Sequence, residues 1–177
     1  MAALFGKNSK LTRKQADALV REYYDEIYVF AYKQTFDKEL AMDLTQEIFI
    51  NVLRSYDRYD ANKASLRTWI YRIASNRMID YRRSRTAGER KQLPLEDVPE
   101  ETDNGFETLV ENRDFLQKVE SFISGYDVSV QQIFRLHIFS DLSFAAIAQL
   151  TDSNEASVKT AYYRLLKQIR KEFQNEL

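Results

Sequence analysis

The chain has 177 residues, of which 44% are hydrophobic, so it can bury one core or two small ones. Cysteine is absent, which excludes disulfides and thiolate metal sites. The formal net charge is −1 and no apolar run is long enough for a signal peptide or a membrane span, so we expect a cytoplasmic protein without direct membrane contact.

The near-neutral net charge conceals two oppositely charged blocks. Residues 63–91 carry nine Lys or Arg against two acidic residues, a net charge of +7. Residues 92–114 carry eight acidic residues against one Arg, a net charge of −7. The basic block predicts contact with a polyanion, and the acidic block predicts a solvated tether beside it.

Apolar residues of the N-terminal part recur at the three- and four-residue spacing of helices, with a break near Phe36-Asp37. The two predicted stripes are Ala16, Leu19, Tyr23, Ile27 and Phe30, then Leu40, Leu44, Ile48 and Val52.

The second predicted helix carries an acidic face opposite its apolar stripe. Its members are Asp43, Gln46, Glu47 and Ile50. Such a face is either ordinary solvated surface or a docking stripe for a basic helix of a partner. Phe49 lies beside this face and the core stripe does not account for it, which favours docking.

The third predicted helix follows a polar, aromatic loop at 56–62, begins after a Ser65 cap and mixes cations with aromatic residues. Its inward stripe is predicted to be Leu66, Trp69, Ile70 and Ile73. The residues left outward are Arg67, Tyr71, Arg72, Asn76, Arg82 and Arg83. Arg binds phosphates, Tyr stacks on unpaired bases and Asn can read a base edge, so this face indicates nucleic acid. The alternative is a solubilising basic face that includes an Arg77–Asp80 pair.

Both prolines and two of the four glycines fall between residues 86 and 112, which predicts a linker. The expected organisation is therefore all-α: a helical domain at 1–85, an acidic flexible linker at 86–112 and a second small helical domain at 113–177.

Residues 142–165 have the spacing of a helix-turn-helix, the motif that places its second helix in the major groove of duplex DNA. The first helix is predicted at Ser143 to Leu150, the turn at 151–153, and the cap of the second helix at Asp152 or Ser153. The inward residues of the second helix are Val158, Tyr162, Leu165 and Ile169, and the outward ones are Lys159, Thr160, Tyr163, Arg164 and Lys167. A plain helical hairpin is the alternative.

No catalytic constellation is visible in the sequence. His137 is the only histidine and lies on a predicted core helix between Leu136 and Ile138, which favours a packed or hydrogen-bonded role. There is no Gly-rich phosphate loop, and no spacing of acidic residues recommends a metal site. We expect no enzymatic activity, no cofactor and no metal.

Several motifs together resemble those of bacterial sigma factors of the extracytoplasmic-function (ECF) group. They are the segment from Asp43 to Phe49, the run from Thr68 to Asn76 with Asp80 and Arg82-Arg83, and Ile147-Ala148 with Val158-Lys159-Thr160. Members of this group keep only the second and fourth sigma domains, and the 27 residues from 86 to 112 are too few for a third.

The resemblance implies a function in transcription initiation. Core RNA polymerase would be bound through its β′ clamp coiled coil and its β flap, and promoter DNA would be contacted both as single strand and as duplex. The acidic linker would run toward the RNA exit path. An anti-sigma factor is a further expected partner, through which the protein would be held at the membrane.

The resemblance also implies a role for particular residues. Those matching the segment that docks on the clamp are Asp43, Gln46, Glu47 and Phe49. Those matching the segment that opens the minus-ten element are Arg67, Trp69, Tyr71, Arg72, Asn76, Arg82 and Arg83, with the loop 59–65 bordering the pocket of a flipped base. The residues that match the helix that contacts the minus-thirty-five element are Ser157, Lys159, Thr160, Tyr163, Arg164 and Lys167.

The chain departs from the family's pattern at Ala146, where Glu is usual. It also departs in the run from Ala156 to Ala161, where the family often has Gly-Thr-Val-Lys-Ser-Arg, so that Ala161 replaces an Arg. The alternatives are a stand-alone helix-turn-helix regulator, for which no dimerisation seam is visible, and a metal-dependent phosphodiester-cleaving enzyme, for which no ligand cluster is visible.

Overall fold

The structure is a computed structural model that describes residues 11–85 and 112–175, and its regular elements there are all helical. The helices are α1 (Arg13–Thr35), α2 (Lys38–Ser55), α3 (Leu66–Arg85), α4 (Arg113–Ile123), α5 (Val128–Ser140), α6 (Phe144–Leu150) and α7 (Glu155–Glu172), with a 3-10 turn at Tyr56–Arg58. The all-α prediction is confirmed. The chain divides into two compact units between residues 86 and 87. The predicted linker lies outside the described residues, apart from Asn112.

The first unit begins with a helix pair whose ends are set by local hydrogen bonds. Thr12 and Gln15 form a reciprocal capping box at the start of α1. Phe36 ends α1 in the left-handed region at φ 55°, and Asp37 then caps α2 by accepting a hydrogen bond of 3.1 Å from the Leu40 amide. The predicted break at Phe36-Asp37 is confirmed.

Helix α2 packs on both α1 and α3, and α1 also contacts α3, which gives a three-helix bundle. Its core includes Ile27 and Phe30 of α1, Ile48 of α2, and Ile70 and Met78 of α3, all at most 1% exposed. Fully burying a side chain of this size contributes roughly 1.5–3 kcal/mol, so these contacts dominate the stability of the unit.

The second unit packs α7 against α5 and α6, with α4 alongside. Arg135 of α5 joins α4 through a buried ion pair, in which its Nη2 lies 2.7 Å from Oε2 of Glu120. Its Nη1 donates to Gln131 Oε1 at 3.0 Å, and Gln131 in turn donates to the Tyr126 carbonyl. The pair is satisfied on both sides, so breaking it would leave a charge buried without a partner.

Helices α6 and α7 form the predicted helix-turn-helix. The predicted cap at Asp152 or Ser153 is wrong: Asn154 is the N-cap and accepts a hydrogen bond of 2.8 Å from the Ser157 amide. The reason is that Asp152 adopts the left-handed conformation at φ 51°, which delays the next helix until Glu155. The four residues predicted to face inward are all at most 1% exposed: Val158, Tyr162, Leu165 and Ile169.

None of the helices in the two described ranges is long and apolar enough to cross a membrane.

Candidate nucleic-acid and partner interfaces

The outer face of α2 combines carboxylates with exposed apolar side chains. Asp43, Gln46 and Glu47 are exposed, as predicted. Ile50 is 36% exposed and Met42 is 46% exposed, which places two apolar side chains on the same outward side of the helix. A mixed acidic and apolar helix face suits a partner helix that carries both basic and apolar residues. Met42 was not among the predicted docking residues, although its position outside the apolar stripe was a usable signal.

Phe49, which was predicted to be a docking residue beside this face, is buried inside the unit and is not available for direct contact. Phe49 is only 4% exposed, and its ring stacks on Tyr24 of α1 with centroids 5.9 Å apart. The α1–α2 contact covers more of α2 than the stripe through Leu44 and Ile48 indicated, so Phe49 supports the acidic face from beneath.

Helix α3 is rotated about its axis relative to the sequence prediction. Its buried residues are Thr68, Ile70, Tyr71, Ala74, Ser75 and Met78, whereas Leu66, Trp69 and Ile73 are only half-buried. Small residues such as Ala74 and Ser75 let the neighbouring backbones approach closely, and α3 must pack against two helices rather than one. The apolar residues alone therefore indicated the wrong centre for the buried face.

The prediction that Tyr71 faces outward is wrong. Tyr71 is 1% exposed and packs edge to face on Phe30, with ring centroids 5.2 Å apart. Burial, reinforced by the neighbouring Glu26 carboxylate, raises the pKa of its hydroxyl well above the usual value. A ring held in this way cannot stack on a base.

Arg67 and Arg82 are committed to contacts within the first unit. Arg67 Nε donates to Glu26 Oε2 at 2.9 Å, and its guanidinium lies 5.0 Å from the centroid of the Tyr71 ring. Arg82 Nη2 donates to Gln34 Oε1 at 2.9 Å. Of the other predicted nucleic-acid contacts on α3, Arg72, Asn76 and Arg83 are exposed.

Trp69 belongs to a cluster of half-buried rings where α2 leads into α3. Its centroid lies 5.3 Å from that of Tyr59 and 6.2 Å from that of Tyr56. The Tyr59 hydroxyl donates to the Ala64 carbonyl at 3.2 Å, which ties the cluster to the 59–65 loop. The rings are held in place yet partly exposed, which suits them to stack on unpaired bases.

An open groove runs between α2 and α3. We name it the cationic groove; its lining residues are Asn51, Arg54, Ser55, Arg58, Ile73, Asn76, Arg77 and Asp80. Three guanidinium groups and two amides converge there, and Asn76 is one of the predicted base contacts. Asn51 and Arg54 of α2 and Arg58 of the following 3-10 turn were not among the predicted contacts, although Asn51 and Arg54 are spaced to share a helix face.

Arg77 of the cationic groove forms an ion pair with Glu47 of the acidic face. Its Nε and Nη2 both approach Oε2 of Glu47, with the two side chains 26% and 50% exposed, respectively. The Arg77–Asp80 pair considered from the sequence does not form; Arg77 instead connects α3 to α2.

The outward face of α7, which was predicted to contact duplex DNA, is partly organised by local contacts. Lys159 Nζ lies 2.8 Å from Glu155 Oε1, and Thr160 Oγ1 donates to the Ala156 carbonyl at 2.9 Å. The Tyr163 ring lies 5.8 Å from that of Phe144, measured between centroids. Of the remaining predicted contacts, Ser157 and Lys167 are exposed and Arg164 is half-buried.

His137 has a packing role in the second unit. Its Nδ1 lies 3.0 Å from the Leu142 carbonyl, and its ring stacks on Phe144 with centroids 4.3 Å apart. Across residues 11–85 and 112–175, no group of three or more His, Cys, Asp or Glu is placed to hold a metal ion.

Comparisons with known proteins find relatives of one kind. The Sigma-70 region 2 family matches residues 19–88, which include α2 and α3. The ECF RNA polymerase sigma factor SigM of Bacillus subtilis (strain 168) is 23% identical over 158 residues, covering 87% of this chain and 92% of that protein. The ECF RNA polymerase sigma factor SigE of Mycolicibacterium smegmatis is 36% identical over 87 residues, covering 49% of this chain and 31% of that protein.

A solved structure shares the fold. It is described as CnrH in complex with the cytosolic domain of CnrY. One of its chains aligns with a TM-score of 0.67 at 16% identity, over 96% of this chain and 94% of that one.

Proposed function

This chain is a sigma factor of the extracytoplasmic-function group, and we propose that it binds core RNA polymerase, directs it to particular promoters and helps to open the minus-ten element. The observation that carries the proposal is that α2 and α3 place an acidic, partly apolar face beside a cationic, aromatic one in a single unit. The chemistry of RNA synthesis stays with the polymerase.

The acidic face of α2 is proposed to dock on the clamp coiled coil of the β′ subunit. Asp43, Gln46 and Glu47 supply acceptors for basic side chains, and Met42 and Ile50 supply apolar contact. Interfaces of this kind depend on apolar anchors within a polar rim. Phe49 contributes from below by fixing α2 on α1.

The exposed face of α3 is proposed to contact the unpaired minus-ten strand. Asn76 would contact a base edge, Arg72 and Arg83 would contact phosphates, and Trp69 would offer a stacking surface. Tyr71, Arg67 and Arg82 are assigned to the fold of the unit instead, because each is held by contacts inside it.

Helix α7 is proposed to read the minus-thirty-five element as duplex, with the second unit also contacting the β flap. The proposed contacts are Ser157, Lys159, Thr160, Tyr163, Arg164 and Lys167. Recognition helices use their N-terminal residues for base edges, and this set begins at the first turn of α7.

An anti-sigma factor is proposed as a further partner. The structure that shares this fold is described as a complex of CnrH with the cytosolic domain of another protein, CnrY. A membrane-anchored partner of this kind would hold the present chain at the membrane until the signal releases it.

The proposal is tested by reconstitution. The purified chain should co-elute with core RNA polymerase, and the reconstituted enzyme should produce discrete run-off transcripts from a genomic library that core enzyme alone does not produce. A stand-alone regulator would instead give a symmetric footprint on duplex DNA without polymerase. That footprint, with no co-elution, would contradict the proposal.

A further inference from the structure

Glu47 belongs to two surfaces at once. It is exposed on the acidic face of α2, and its carboxylate is also the ion-pair partner of Arg77 in the cationic groove. The two residues are 30 positions apart in the chain, so the fold alone brings them together. Whatever binds Glu47 from outside must therefore compete with Arg77.

The ion pair lowers the positive charge that the groove can offer. Arg54, Arg58 and Arg77 contribute three positive charges, whereas Asp80 and the neighbouring Glu47 contribute two negative charges. Arg54 and Arg58 are exposed and form no ion pair with any residue in the described ranges. Withdrawing Glu47 would raise the net charge around the groove from +1 to +2, and the change falls on the arginine that adjoins Asn76.

The ion pair is also weak enough to be exchanged. Glu47 is half-exposed, and ion pairs exposed to solvent contribute little because water screens them and their long side chains lose conformational entropy. A basic side chain on a docked partner would bind the Glu47 carboxylate more strongly than Arg77 does, because less water would surround that contact. Arg77 would then be released while remaining in place on α3.

We propose that the Glu47–Arg77 ion pair couples polymerase docking to binding of the unpaired DNA strand. In the free protein the Glu47 carboxylate pairs with the Arg77 guanidinium and keeps it from binding phosphate. In the holoenzyme the basic partner helix takes the Glu47 carboxylate, and Arg77 joins Arg54 and Arg58 in binding the phosphodiester backbone of the strand whose base Asn76 contacts. This inference rests on the proposed docking of Glu47 on polymerase.

The test measures DNA binding by the free, full-length chain, using fluorescence anisotropy of a labelled oligonucleotide in single-stranded and in duplex form. Glu47→Gln removes this ion pair and should raise single-strand affinity about threefold to tenfold at low salt, because one more arginine becomes available to phosphate. The dependence of log affinity on log salt should steepen by up to about 0.7 for one added phosphate contact. Duplex affinity should change less than twofold, because the proposal has Arg77 contact the backbone only of a strand whose unpaired base is held at Asn76.

Two further variants separate this mechanism from a general charge effect. Glu39→Gln removes the same charge from the first turn of α2, where the side chain is exposed and no ion pair with a described residue is found, so it should give little gain. Glu47→Gln combined with Arg77→Gln should lose the gain, because the effect requires the arginine. An equal gain in Glu39→Gln, an equal gain on duplex, or a gain that survives without Arg77 would overturn the proposal.

Failure of this inference is distinguishable from failure of the proposed function. The binding measurements need no polymerase, whereas docking is read from co-elution with core enzyme, which Glu47→Gln should weaken. If the wild-type chain co-elutes normally but Glu47→Gln gives no gain in single-strand affinity, the coupling alone is overturned. Absence of co-elution by the wild-type chain would overturn the docking itself, and the coupling with it.

Discussion

Single residues in the first unit divide sharply between those that maintain the bundle and those that remain available to a partner. Tyr71 and Asn76 lie five positions apart on α3, yet Tyr71 is 1% exposed whereas Asn76 is exposed. Their substitution should therefore affect different properties of the protein.

Tyr71→Ala should destabilise the first unit by about 3–5 kcal/mol, the usual cost of removing a large buried side chain and leaving a cavity. Urea unfolding measures the change, and Arg72→Ala provides the matched control on the neighbouring exposed position, with an expected loss below about 1 kcal/mol. An unchanged unfolding midpoint for Tyr71→Ala would show that the ring is not part of the core.

Asn76→Ala should leave co-elution with core polymerase intact and remove strand opening. A flipped base needs a polar partner to offset an unstacking cost of a few kcal/mol, and Asn76 is the amide that lines the cationic groove on α3. Permanganate reactivity of thymines in the minus-ten region reports the opening. Wild-type reactivity in the variant would assign Asn76 to the fold.

At the scale of helices, the sequence predicted where each helix lies in the chain better than which of its faces is buried. The apolar spacing of α2, the break at Phe36-Asp37 and the inward face of α7 followed from local periodicity and capping. The buried face of α3 did not, because Ala74 and Ser75 carry no apolar signal and become buried only when α1 and α2 pack against them. The Glu47–Arg77 ion pair likewise could not be predicted from local sequence patterns, because it depends on how α2 and α3 pack.

Helix α7 should set sequence preference at duplex DNA only. Exchanging Lys159, Thr160, Tyr163 and Arg164 for the residues of a related factor should change minus-thirty-five preference and leave minus-ten preference intact. A bidentate contact from Lys159 or Arg164 to guanine contributes roughly 1–3 kcal/mol of discrimination. Transcription from a promoter library randomised at both elements measures the change, and a shift confined to the minus-ten element would contradict the assignment of α7.

For the whole molecule, the proposed function depends on the acidic face of α2 more than on any other surface, because promoter choice has no effect unless polymerase is bound. This face was recognisable in the sequence through the spacing of Asp43, Gln46 and Glu47. Ile50 was predicted to lie on the same face, whereas Met42 became clear only from the exposure of its side chain in the folded unit. The face has no large structural role, since the Glu47–Arg77 pair is exposed and contributes at most about 1 kcal/mol.

The most direct test of the central claim is co-elution of the chain with core RNA polymerase after Asp43→Ala is combined with Glu47→Ala. The variant should lose co-elution while its free energy of unfolding stays within about 1 kcal/mol of wild type. Asp17→Ala combined with Asp25→Ala removes the same two charges from exposed positions on α1 and should co-elute normally. Normal co-elution of the α2 variant would contradict the account and leave the acidic face as solvated surface.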